Sequence, residues 1–301
     1  MKYHIGEKMI HILKAPFDLG GGEKSTGSAK APDLIQQYSQ RMNWATAENG
    51  EKIFFTWWGG LPPEESVNSL AILQHKIRGM VPNFIIGGDN TLSLAGYRAM
   101  VQFCGGPVIL VHADAHPDCR DPSRIPTPDP HASWVRRLIE EKVLDPNYYF
   151  LFGCRANDQR GDSYGSEYDY LKRLNIFETH VYPMYKLDKK KYSNFTSIFF
   201  KIFLDVPRLK DAKGVYCAFD IDVLDPSVAP GTGCLVSGGW NFRQARAFLE
   251  ALCSRAQYEK LPMMGDITEV NPDKDVQDLN GRLQTIQCAG DLLREWASFL
   301  P

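Results

Sequence analysis

The chain has 301 residues, 44% of them apolar and 23% charged, which suits one large α/β domain spanning residues 1–301 with a sizeable buried core. A net charge of −2 with both signs spread along the chain excludes a general attraction for nucleic acid or an anionic membrane surface. Residues Met1 to Lys8 lack the apolar core of a signal peptide, and no later stretch approaches the roughly 18 apolar residues of a membrane span, so a soluble, cytoplasmic protein is expected.

Taken in chain order, strand-like apolar runs fall at 9–13, 83–86, 107–112, 149–153, 215–221 and 262–270. Between them, residues 31–43, 91–103, 131–143, 165–174, 241–256 and 283–299 carry apolar side chains at spacings of three and four, the period of a helix. Strands alternating with helices predict parallel strands joined by crossover helices, hence a three-layer αβα sandwich. Three stretches rich in proline and glycine, 20–32, 121–130 and 226–239, each follow an expected strand and read as active-site loops. Seven cysteines, at 104, 119, 154, 217, 234, 253 and 288, are scattered without a C-x-x-C pair, which predicts free thiols rather than a zinc site or a disulfide framework. Cys119 and Cys234 lie in the expected site loops and are the candidates for a redox effect.

Three segments carry chemistry, and each follows a strand. Val108–Val111 leads into Asp114, His116 and Asp118, which alternate and so point to one side of extended backbone. Cys217–Phe219 leads into Asp220 and Asp222 in the same way, and Gly87-Gly88-Asp89-Asn90 follows the run at 83–86. In an open parallel sheet, ligands bind beyond the carboxyl ends of the strands, so the three segments are expected to meet. Carboxylates gathered there repel one another and lose hydration, which calls for cations. Oxygen-rich ligation with one imidazole suits manganese or a similar hard divalent ion. Asn90 is the odd member, a neutral amide where a dinuclear site would more naturally carry an imidazole.

These motifs, in this order and spacing, resemble the arginase, agmatinase and formiminoglutamase group of ureohydrolases. The likeness extends from Ala15-Pro16-Phe17-Asp18 and Ala29-Lys30-Ala31-Pro32 to Asp266-Ile267-Thr268-Glu269-Val270-Asn271-Pro272. It implies the family's central parallel sheet of about eight strands and two manganese ions per subunit, with a homo-oligomeric assembly. By matching positions, Asp114 and Asp220 would bridge the two ions; Asp118 and Asn90 would complete one, and His116 and Asp222 the other. A water held between the ions would act as the attacking hydroxide. Glu269 matches the carboxylate that hydrogen-bonds the amidine or guanidine nitrogens of the substrate. His131 matches the histidine that shuttles protons, although the glycine that usually follows is Ala132 here. At position 90 the family usually has histidine, so an oxygen ligand from Asn90 implies a more weakly held ion.

Substrate choice rests on Arg120, two residues beyond Asp118, with Arg155, Asp158 and Arg160 as further candidates. A cation at 120 suits a substrate with distal carboxylates, and arginases carry an asparagine there. The resulting expectation is a formimidoylglutamase that hydrolyses N-formimino-L-glutamate to glutamate and formamide in histidine breakdown. Two alternatives stand beside it: an arginase- or agmatinase-type amidinohydrolase that releases urea, and a metal-poor, non-catalytic member of the family.

Overall fold

A computed structural model describes residues 7–21, 26–41, 45–46, 52–59, 69–124, 131–156, 165–183, 199 and 211–300. Nine described strands form one sheet: β1 (Glu7–Ala15), β2 (Ala45–Thr46), β3 (Lys52–Trp58), β4 (Phe84–Gly87), β5 (Val108–Ala113), β6 (Tyr149–Phe152), β7 (Val181–Tyr182), β8 (Gly214–Asp220) and β9 (Met263–Thr268). Their order across the sheet is β2-β3-β1-β4-β9-β8-β5-β6-β7. All neighbours are parallel except the two-residue β2, which pairs antiparallel with β3 at one edge. The expected sheet of about eight parallel strands is therefore present, with a short antiparallel strand added at its edge.

Every residue of β4, β5, β6 and β8 is buried. Strands covered on both faces read as unbroken apolar runs rather than alternating ones, which is why Val108–Val111 and Val215–Phe219 stand out in the sequence. The cover comes from helices α1 (Ala31–Arg41), α2 (Ser69–Met80), α3 (Thr91–Cys104), α4 (Trp134–Glu140), α5 (Gly165–Arg173), α6 (Phe177–His180), α7 (Phe242–Tyr258) and α8 (Gln284–Phe299). Six of these match the helical periods read from the sequence. The expected helix over 131–143 is shorter, because Ser133 leaves helical geometry and a 3₁₀ turn at His131–Ser133 precedes α4. β2, β3, β7, α2 and α6 were not anticipated. No described helix is long and apolar enough to cross a membrane.

The sheet order decides where the chemistry falls. β4, β9, β8 and β5 are consecutive neighbours, and their carboxyl ends carry Asn90, Glu269, Asp220 and Asp114. Register then fixes depth: Asp220 lies beside Thr268, Phe219 beside Ile267 and Ala113 beside Phe219. Gly88 lets the exit of β4 press against the exit of β1, since a Cβ there would stand 1.8 Å from the Phe17 carbonyl oxygen. Asp89 N–H donates to that carbonyl at 2.8 Å, and Glu269 N–H donates to the Gly88 carbonyl at 2.7 Å.

Candidate metal centre

Asp114 is fully buried just beyond β5, held on several sides. His116 N–H donates to its Oδ1 at 2.6 Å, and the His112 Nε2 lies 2.8 Å from its Oδ2. The other nitrogen of His112, Nδ1, is 3.1 Å from the Tyr149 hydroxyl. His112, absent from the sequence-based site, is thus the group that orients Asp114. Its signal was present: it stands two residues before Asp114 and so on the same side of the strand.

Beyond Asp114 the chain turns sharply, and Asp118 adopts a left-handed backbone with φ of 51°. Aspartate tolerates that region better than most residues, but such conformations persist only where the surroundings impose them. Here Trp134 Nε1 donates to Asp118 Oδ2 at 2.8 Å and Glu167 accepts the neighbouring Cys119 N–H at 2.8 Å. Glu269 is likewise left-handed, with φ of 60°.

Asp222 follows β8 in a 3₁₀ turn over Ile221–Val223 that Asp220 caps by accepting Asp222 N–H at 2.7 Å. One oxygen of Asp222 accepts Ala115 N–H at 3.0 Å, and the other lies 2.9 Å from His116 Nδ1. Asp114, His116 and Asp222 each offer a donor atom within 4.8 Å of the others, and so do His112, Asp114 and Asp118.

Asn90 is turned opposite to the expectation of an oxygen ligand. Its Nδ2 faces the carboxylates, 2.7 Å from Asp220, 3.0 Å from Asp118 and 3.3 Å from Asp114. Its carbonyl oxygen accepts the Thr268 hydroxyl instead. Three carboxylates accept from the Nδ2 end of the amide, and the hydroxyl of Thr268 donates to the other end. The backbone N–H of Asn90 donates to Glu269 Oε1 at 3.0 Å, and the same oxygen lies 2.9 Å from His131 Nδ1. Asp89 accepts N–H groups of Gly20 and Gly21, and His131 N–H donates to the Gly20 carbonyl. The first glycines of the 20–32 loop are therefore tied to both the β4 exit and His131.

The protein alone does not neutralise this cluster well. Burial, reinforced by the charge of Asp114, pushes Asp118 up to about 7. Asp220 is raised well above the carboxylate range by burial and by Asp222, Asp114 and Glu269. Burial, then Asp114, also raises Asp222, although His116 opposes the shift. Asp114 goes the other way: burial alone would raise it, but His112 and His116 hold it low. For His131, burial would favour the neutral ring, yet Glu269 beside it raises the group to about 10. Burial thus works against the charge of these carboxylates, a cost that bound cations offset. The donor set of carboxylates and imidazole fits one hard divalent ion directly at Asp114, His116 and Asp222. His112, Asp114 and Asp118 offer a second set of donors, and the Asn90 amide lies against Asp114, Asp118 and Asp220.

The remaining candidates separate. Arg155 is not available to a substrate: its guanidinium donates to the carbonyls of Gly153, Asp222, Val223, Leu224 and Val236, at 2.7 to 3.2 Å. Its five donors clamp the loop after β8 to the end of β6, which corrects its assignment to substrate binding. Arg120 is half-buried, its N–H bonded to the Ala132 carbonyl next to His131. Its charge partly offsets the rise that burial and Asp118 impose on Glu167, which reaches about 8. Asp158 and Arg160 lie outside the described residues. All seven cysteines are free. Cys119 is fully buried, and burial with Glu167 and Asp118 pushes its thiol well up, so it is a packed core thiol rather than a redox site. Cys234 is half-buried.

Comparison with known proteins agrees with this geometry. Residues 8–298 match the model of the arginase family. The chain is 27% identical to the proclavaminate amidinohydrolase of Streptomyces clavuligerus over 96% of its own length and 88% of that protein. It is 30% identical to the agmatinase of Blochmanniella floridana over 87% of its own length and 80% of that protein. Among solved structures, formimidoylglutamase from Bacillus subtilis superposes with a TM-score of 0.81 at 20% identity, covering 97% of this chain and 87% of that one. With its parallel sheet, its carboxylate cluster at four adjacent strand ends and a family match over nearly its whole length, the chain belongs to the arginase family.

Proposed function

We propose that the protein is a manganese-dependent formimidoylglutamase that cleaves N-formimino-L-glutamate to L-glutamate and formamide. Divalent ions in the carboxylate cluster would supply the Lewis-acid polarisation of water that this hydrolysis needs; Asp114, His116, Asp118, Asp220 and Asp222 are the residues that would hold them. Glu269 would hydrogen-bond the planar formimino group, whose N–H donors match a carboxylate in fork geometry. In the overall reaction water adds across the formimino carbon, the bond from that carbon to the glutamate nitrogen breaks, and the nitrogen gains a proton. His131, raised to about 10 by Glu269 against the effect of burial, would deliver that proton to the departing amine. The left-handed backbone at Glu269 sets its carboxylate between the Asn90 N–H and His131.

The observation that carries the substrate choice is Arg120. It is anchored by its backbone to Ala132, one residue from the proposed proton donor, and it supplies the cation that a dicarboxylate substrate requires. Arg155 is held by backbone carbonyls, so the substrate reading is assigned to Arg120. The reading includes a homo-oligomer, as the family resemblance implies, and a cytoplasmic location, as read from the sequence. A second reading, an amidinohydrolase that releases urea, is favoured by the names of the sequence relatives, an amidinohydrolase and an agmatinase. Assay of the manganese-loaded protein for formamide from formiminoglutamate, and for urea from arginine and agmatine, separates the two.

A further inference from the structure

Asn90 stands at the N-terminal cap of α3, the position where asparagine ordinarily bonds a helix N–H. It makes no such side-chain bond, and its backbone is already helical, with φ of −62° and ψ of −9°. The Thr91 N–H is instead taken by Asp89 Oδ1 at 2.9 Å. The Asn90 side chain is thus released from capping and is 3% exposed. Its two amide hydrogens serve three carboxylates, and its oxygen is engaged by Thr268. Its own N–H is fixed by Glu269, so the side chain cannot drift away with the backbone.

We propose that Asn90 is an internal counter-donor that occupies the cation position among Asp114, Asp118 and Asp220. The centre therefore binds one divalent ion tightly at Asp114, His116 and Asp222, and a second only by displacing the amide. The inference rests on the metal-dependent reading above but not on the substrate. A second ion must break the amide's contacts with charged acceptors, and either turn the amide, reversing the Thr268 bond, or push it aside. At the Asp114–His116–Asp222 position no amide competes. Hydrogen bonds to charged groups are among the stronger ones, so the two positions differ in affinity even though they share Asp114. Asn90 then hinders the second ion rather than helping it, the reverse of a weak ligand.

The test is a manganese titration of the metal-free, full-length protein without substrate, followed by equilibrium dialysis and electron paramagnetic resonance. Wild type is expected to take one equivalent first, with the signal of an isolated ion, and the second at least about tenfold more weakly. In Asn90→Ala the second equivalent should bind within about threefold of the first, while the metal-free variant melts below wild type because three buried carboxylates lose their donor. A variant that binds the second ion more weakly than wild type would make Asn90 a ligand and overturn the proposal. So would a wild type that binds two equivalents with equal affinity and shows a spin-coupled pair from the first addition, a result independent of whether the variant folds. Since no substrate enters, failure to release formamide would refute the substrate reading and leave this result standing.

Discussion

At the scale of single residues, the site divides into groups legible in the sequence and groups that only packing reveals. Asp114, His116, Asp118, Asp220 and Asp222 were legible because alternation at strand ends fixes their side, and parallel topology brings those ends together; His131 and Glu269 were legible through the family resemblance. The structure gathers all seven. Trp134 and Thr268 were not, because each looks like ordinary core, a tryptophan at a helix start and a threonine ending a strand; His112 shares the alternation of Asp114 but reads as a core histidine inside an apolar run. Their roles come from register and from α4 packing over β5, which spacing alone does not encode. The direction of the Asn90 amide was not legible for a related reason, since residue type gives both a donor and an acceptor and only the neighbours choose between them. The substrate role of Arg120 is testable at this scale. Arg120→Ala should raise KM for formiminoglutamate by roughly 10- to 100-fold, as loss of a charge-assisted contact does, with kcat less affected and manganese content unchanged. Steady-state kinetics with metal analysis decides it, and unchanged KM removes Arg120 from the substrate.

At the scale of elements, the loop after β8 owes its shape to Arg155 and the exit of β4 to Gly88. Arg155→Lys keeps the charge but loses the planar fork that reaches five carbonyls. It should therefore destabilise the fold by about 2–3 kcal/mol, with metal affinity falling because Asp222 belongs to the clamped loop. Chemical denaturation measures the first effect, and loss of substrate affinity at unchanged stability would instead return Arg155 to the pocket. Gly88→Ala would drive a Cβ to 1.8 Å from the Phe17 carbonyl oxygen, a backbone atom that cannot swing aside. Destabilisation of about 3 kcal/mol or more is expected, and a melting temperature equal to wild type would contradict the packing described. Among the elements, buried strands and amphipathic helices announced themselves by period. β3 and α2 did not: β3 mixes aromatic residues with lysine and threonine at a half-covered edge, where neither strict alternation nor an unbroken apolar run develops. β2, with two residues, is too short to show any period.

At the scale of the whole molecule, the site opposes the stability of the fold until cations arrive. Burial raises Asp89 to about 6, with Glu269 adding to the shift, and Asp118 to about 7 with Asp114 adding. An acid whose pKa is higher in the folded than in the unfolded state favours folding fully below its unfolded value and loses that contribution as pH rises through the folded value. His131, raised to about 10 by Glu269 against burial, has the same sign over a higher window, present below its unfolded pKa of about 6.5 and lost towards 10. The metal-free protein should accordingly become less stable from about pH 5 to pH 8, and manganese should flatten that decline by binding the folded state only. Thermal melting across this range, with and without manganese, checks both parts; a metal-free stability that rises with pH would contradict the cluster's electrostatics. The central claim is that this scaffold hydrolyses an amidine bearing carboxylates. It is tested most directly by presenting the manganese-loaded protein with an equimolar mixture of formiminoglutamate, arginine and agmatine and quantifying products over time. The account predicts formamide and glutamate as the dominant products; urea in excess of formamide, or no product from any of the three, would contradict it.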